Sequence, residues 1–397
     1  MMVDRTNTSR EQFLQLLHGF VHESSLKLNV RWNTESLWKI AAQQNMLPVL
    51  AYENKKWKIF CGDAALAKRL DSVFYAAVVG SVNRIADFEE LSATLSANGI
   101  EHMPVKGYYL RRLWPAPEMR TFGDIDILIH PHDRQRTHEL MKSLGYAVEH
   151  DWEPTFSYIK GAEYYEIHTN LMDGNLDGRT DLQKYFCNGW QHAVPDEGLR
   201  FAPDKNFHFI YTVCHLAKHL YGGGAGLRMY VDIALQIQKY DVELDWAGIA
   251  EELEILKLTE FFHTVMNACR DWLGVETSCS LPEADEEALS TLLEYTLDSD
   301  LFGHIRDHSV VELRNADEKN SAKGKLLLRM LFPSADEIEQ RYTFLKGRRW
   351  LLPAAWILRF FVNIKLVPKR LRSLKQLAKA DEESVNSYDI FMNRIGL

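Results

Sequence analysis

Residues 124–130 read DIDILIH, and this short alternation constrains the fold more than any other stretch of the chain. Side chains two apart on a strand leave the same face. Ile125, Ile127 and Ile129 therefore bury one side, while Asp124, Asp126 and Leu128 share the other. Two adjacent carboxylates repel, and each resists ionising without a compensating charge. A divalent metal supplies that charge, and hard oxygen donors suit Mg²⁺, which bridges protein carboxylates to substrate phosphates. A solvated strand end with two harmless aspartates has the same spacing, so the neighbouring motifs have to decide.

The chain around this strand divides into helices, a sheet and more helices. Phe13, Leu16, Leu17, Phe20 and Val21 recur at helical spacing, as do Leu37, Ile40, Ala41 and Leu47. A long apolar stripe from Leu66 to Leu95 predicts one extended helix that stops at Asn98-Gly99. Short strands are expected at 100–105, 146–150, 155–160 and 163–169, with a helix over 133–144 ending at Gly145. Lys160-Gly161-Ala162 reads as a hairpin turn. Helical patterns then cover 204–221, 228–240, 245–256, 259–273, 284–297 and 349–379. The expected class is α+β: a helical region 1–98, a small mixed sheet over 99–180 and a helical region 181–397.

Upstream of the acidic strand, Val105-Lys106-Gly107-Tyr108 leaves a strand and opens a helix. A glycine there lets backbone N–H groups approach a phosphate, and a helix N-terminus favours its charge. Arg120, four residues before Asp124, adds a bidentate phosphate donor. Downstream, Tyr165-Glu166-Ile167-His168 alternates in the same way, so Glu166 and His168 share a face. Glu166 thus offers a third carboxylate to the metal pair.

K-G, then R-x-x-G-D-I-D-I-L, then Y-E-I-H resembles the nucleotidyltransferase superfamily of DNA polymerase β-like enzymes. More narrowly it resembles the bacterial family called uncharacterised nucleotidyltransferases, over roughly residues 34–240, including HLAKH…GLRMYVDIALQI. That resemblance implies Asp124, Asp126 and Glu166 as catalytic, metal-holding acids and Mg²⁺, or Mn²⁺ in its place, as cofactor. It implies a two-metal transfer of a nucleotidyl group, with Asp124 and Asp126 bridging the ions and Glu166 on the acceptor-side one. Lys106, Gly107, Arg120 and Lys218 would hold a nucleoside triphosphate, and His168, Arg228 and Asp232 are candidates for the acceptor side. One departure stands out. The superfamily usually has Gly-Ser or Gly-Gly where this chain has Gly107-Tyr108, so a serine hydroxyl is missing and Lys106 is left to take over part of its contact.

His215 and His219 lie four apart on a predicted helix. A zinc protease would need a glutamate where Leu216 stands, so they read as a polar helix face beside the cleft. Arg228 and Asp232, also four apart, are explained by an intrahelical ion pair of about 0.3–0.5 kcal/mol. Two rival functions follow from the same residues. Tyr108 admits a nucleotide-binding module without turnover. His168, His215 and His219 as ligands would instead make a metal-dependent phosphohydrolase.

The formal net charge of −9 argues against nucleic acid as the acceptor and leaves a small molecule, a glycan or a protein. Five scattered cysteines with no C-x-x-C pair, and no apolar leader, point to a cytoplasmic setting. No stretch approaches the ~20 apolar residues that span a bilayer. Residues 341–380 stand apart: they hold eleven Lys/Arg and no acid, leaving −20 on the remainder. Interleaved apolar residues make this basic segment a candidate for peripheral membrane contact, or for packing against the acidic remainder.

Overall fold

The apolar spacing of the first hundred residues builds four helices in the computed structural model: α1 (Arg5–Val21), α2 (Thr34–Gln43), α3 (Leu47–Trp57) and α4 (Ala64–Ala97). The structure describes residues 5–24, 32–60, 62–121, 123–172, 174–176, 180–298, 332, 334, 348–362 and 382–397. Asp63 caps α4 by accepting from the Leu66 amide, and Gly99, at φ +68°, takes the left-handed turn that ends it.

The chain then enters β1 (His102–Pro104), the short α5 (Gly107–Leu110) and β2 (Ile125–Ile129). Next come α6 (Arg134–Ser143), β3 (Ala147–Trp152), β4 (Thr155–Lys160) and β5 (Glu163–His168). Gly161, at φ +61°, makes the expected two-residue turn between β4 and β5. A ribbon of β6 (Asn175–Leu176) and β7 (Thr180–Asp181) and a short α7 (Leu182–Phe186) lead to β8 (Ala193–Glu197) and β9 (Arg200–Pro203).

Seven strands form one sheet in the order β3-β4-β5-β2-β1-β9-β8. Here the structure exceeds the sequence reading, which confined the sheet to residues before 180. β9 pairs in parallel with β1, and β8 follows it as an edge. Each is only four or five residues long and carries a proline, so neither gives a clean alternation. β2 lies between β1, antiparallel, and β5, parallel.

The isoleucine face of β2 packs against Phe88, Leu91 and Leu95 of α4 and Met141 of α6. A one-residue slip would turn three buried isoleucines into the cleft, costing on the order of 5 kcal/mol. The opposite face looks toward the larger core, built from α1, α3, α8 (Lys205–Tyr221), α9 (Leu227–Tyr240) and α11 (Thr259–Leu273). With α10 (Trp246–Ile255) and α12 (Glu286–Asp298), α8, α9 and α11 lie within two residues of the expected positions. Further along are α13 (Leu352–Val362) and α14 (Glu382–Arg394). Of the basic segment 341–380 only residues 348–362 are described; the remainder lies outside the described residues. No described helix is long and apolar enough to cross a membrane.

Candidate functional site

Strand register assembles the site. Asp126 on β2 sits opposite Glu166 on β5, and Leu128 sits opposite His168. Glu166 in turn faces Ser157 on β4, and His168 faces Thr155. The two sequence motifs, forty residues apart, thus meet side by side on neighbouring parallel strands. Ligand atoms of Asp126, Glu166 and His168 all lie within 4.8 Å of one another. Asp124, just before β2, lines the same cavity but is not one of that trio.

Lys106 enters this cluster from the end of β1. Its Nζ donates to Asp126 Oδ1 at 2.7 Å. His168 Nε2 lies 3.0 Å from the same oxygen, and its Nδ1 is 3.1 Å from Thr155 Oγ1. The tautomer that donates to Asp126 therefore accepts from the Thr155 hydroxyl. Burial alone would raise the Asp126 carboxyl, but the Lys106 charge and the His168 contact hold it well below the usual carboxylate range. Burial would likewise lower Lys106, and Asp126, Tyr211 and Asp124 together push it up instead. Asp124 and Glu166 move the other way. Burial, and then the neighbouring carboxylates, raise both. One acid of the cluster thus has its own cation and two lack one, a deficit that a divalent ion would fill. Two carboxylates and an imidazole fit Mg²⁺ through oxygen and Mn²⁺ through either donor.

These residues line a cavity of about 460 Å³ whose opposite wall comes from α8 and α9, with Thr212, His215, Lys218, His219 and Arg228. A larger cavity, about 820 Å³, is lined by Tyr109, His208 and Glu252 among others. It contains none of the three carboxylates, so the smaller one is the candidate site.

The sequence profile of a family described as uncharacterised nucleotidyltransferase matches residues 30–274, more than half of the chain. The chain belongs to this nucleotidyltransferase family. Among solved structures it is similar to the solution structure of the antibiotic-resistance factor ANT(2'')-Ia, at 13% identity. That similarity covers 47% of this chain and 95% of the other with a TM-score of 0.32, too weak to carry any inference. No curated protein matches the chain.

Within the candidate site of this nucleotidyltransferase-family chain, several side chains stand differently from the sequence reading. The fork of Arg120 is spent on Asp232: Nε and Nη2 donate to its two oxygens at 2.8 and 2.7 Å, and Trp114 Nε1 adds a third bond at 2.9 Å. Only Nη1, buried and unpartnered, remains for a ligand. The same contact replaces the intrahelical Arg228–Asp232 pair, because a rigid guanidinium from another element matches the carboxylate bidentately. Arg228 instead donates to the Thr121 carbonyl and keeps Nε buried without a partner. Burial, and then Arg120, pull its pKa down to about 10.

Tyr108 points away from the cleft. It packs on Phe88, donates to Glu89 at 2.7 Å and accepts from Arg112 at 2.7 Å. The positive backbone φ at this corner belongs to Lys106, at φ 48° and ψ −117°, and not to Gly107. Its amide donates to His208 Nε2 at 3.2 Å. His215 and His219 lie on the cleft wall with Nε2 atoms 3.2 Å apart. Burial and then the Lys106 charge push His219 down to about 4 and His215 well below its usual value, so both are neutral near pH 7.

The sequence reading missed His150 and Trp152 of β3, which share the cavity with Asp126. Their spacing of two was visible, but only the register shows that β3 extends the acidic face.

Proposed function

We propose that the protein is a divalent-metal-dependent nucleotidyltransferase that moves a nucleoside monophosphate from a nucleoside triphosphate to an acceptor hydroxyl. Asp124, Asp126 and Glu166 are the acids that hold the metal, Mg²⁺ before Mn²⁺, with His168 fixing Asp126. The observation that carries this reading is the register pairing of Asp126 with Glu166 beneath a cationic helical wall.

When bound, the ion neutralises charge on the triphosphate and lowers the pKa of the acceptor hydroxyl. Lys106 and the Gly107 amide stand at the β1 end of the floor, where they receive phosphate oxygens. Lys218 and Arg228 draw the same charge from the opposite wall, and Arg120 contributes its single remaining donor. Asp232 keeps that donor fixed, a positioning role. Glu166, one strand further along, faces the acceptor, which the wall of α8 and α9 helps to select. The acceptor is a small molecule, glycan or protein, and the setting is the cytoplasm. Tyr108 lies outside the cleft, so its bulk does not speak against turnover.

The test is a screen of the four nucleoside triphosphates with Mg²⁺ against acceptor pools, scored by pyrophosphate release. Release should require one triphosphate and vanish in Asp126→Asn. Release that survives this substitution would overturn the assignment.

A further inference from the structure

The acidic rows of the sheet do not end at Glu166. Across the strands, Asp126, Glu166, Ser157 and His150 form one row, and Leu128, His168, Thr155 and Trp152 form the next. His150 and Trp152 line the same cavity as the carboxylates, with ring centroids 4.4 Å apart. Asp151, between them in sequence, turns to the other face and pairs with Arg134. Trp152 is 39% exposed, a large aromatic side chain at the outer edge of the floor.

We propose that β3 and β4 carry an acceptor subsite in which the Trp152 indole is the platform for a neutral hydroxylated ring, a glycoside. This rests on the nucleotidyltransferase reading above. Lys106 and Gly107 stand at the β1–β2 end of the floor, which assigns that end to the triphosphate. β3 is the far edge, so a ligand resting there is the second substrate. Strands lie ~4.8 Å apart, which places β3 roughly 10 Å from β5. One or two linked rings over β4 and β3 span that distance and present a hydroxyl to Glu166. The ring chemistry follows from the surface. An indole offers a flat apolar face to C–H groups, while the neighbouring His150 ring, tilted 39° to it, offers a hydrogen-bonding partner to a hydroxyl.

Saturation-transfer NMR with methyl glucoside and maltose tests the subsite, with Mg·ATP affinity measured separately by calorimetry. Wild-type protein should transfer to sugar ring protons. Trp152→Ala should lower the sugar affinity roughly two- to tenfold, and Trp152→Phe should restore part of it. ATP affinity should stay unchanged in both variants. The subsite is overturned if neither sugar shows a Trp152-dependent signal. It is equally overturned if Trp152→Ala weakens ATP as much as sugar, since the indole would then hold the base. Trp152-dependent sugar binding in a protein that binds none of the four nucleoside triphosphates would sink the nucleotide reading and leave the subsite in place.

Discussion

The Lys106 ammonium lies 2.7 Å from Asp126 Oδ1, which joins the cation at the end of β1 and the central carboxylate into one unit. The two aspartates of the acidic strand are therefore not equivalent. Asp126→Asn leaves a largely buried ammonium without its partner. It should cost roughly 2–3 kcal/mol in metal-free buffer, somewhat less than a fully buried pair because Lys106 is 20% exposed. Asp124→Asn only relieves repulsion, so stability should hold or rise. Both should lose nucleotide-dependent pyrophosphate release. Urea unfolding of the two variants separates them, and equal shifts would contradict the pairing.

Lys106 also carries backbone strain, at a φ of 48° that residues with a Cβ avoid. Its Nζ bond to Asp126, its amide bond to His208 and its carbonyl bond from Leu110 at 2.8 Å hold it there. Lys106→Ala loses the ion pair and keeps the strain, whereas Lys106→Gly loses both. The glycine variant should be the more stable by about 1 kcal/mol. Triphosphate affinity should fall in each, most clearly at low salt.

Arg120 and Asp232 should couple strongly in a double-mutant cycle. Each single alanine substitution strands a buried partner at a cost of about 3–5 kcal/mol, and the double variant should cost clearly less than their sum. Arg120→Lys should not rescue, because an ammonium cannot reproduce the fork. Additive losses in thermal unfolding would show that the pair is unimportant.

Tyr108→Phe should cost about 1 kcal/mol, the worth of its buried hydroxyl contacts, and leave triphosphate affinity unchanged. Tyr108→Ser, which restores the superfamily's residue, should open a cavity beside Phe88 and cost about 3 kcal/mol without any gain in activity. A gain in affinity from serine would mean that residue 108 reaches the phosphates.

A pH effect is expected far from the cleft. Glu53 on α3 is fully buried, and neither carboxylate oxygen is hydrogen-bonded. Burial pushes its pKa up to about 7 from a usual 4.5. A carboxyl raised on folding contributes no penalty below its unfolded pKa, and its stability is lost as pH rises through the folded value. Between pH 4.5 and 7 the wild type should therefore lose about 3 kcal/mol relative to Glu53→Gln. A constant difference across that range, measured by denaturant titration, would refute it.

Legibility in the sequence followed local pattern strength. β2, β5 and the helices over 204–273 carried clean periodicities, and the α+β class with its acidic strand could be read from them. Asp126, Glu166 and Lys106 converge because their motifs sit at strand ends that pair, which motif order alone suggests. Arg120 was misread as a free phosphate donor, since its partner Asp232 lies 112 residues away and nothing local announces it. The same distance hid the real partner of Asp232 behind a plausible i,i+4 spacing. β8 and β9 escaped because two short proline-bearing strands look like loop.

The late pairing of β9 with β1 bears on modularity. The acidic motifs all precede residue 181, and a cut there looks natural on paper. Such a cut would strip β1 of its outer neighbour and uncover a row of unpaired amides and carbonyls, a template for intermolecular pairing. It would also remove α8 and α9, the wall that faces the carboxylates. The acid-bearing sheet is therefore not a cassette: its edge and its facing wall both come from the residues after 181.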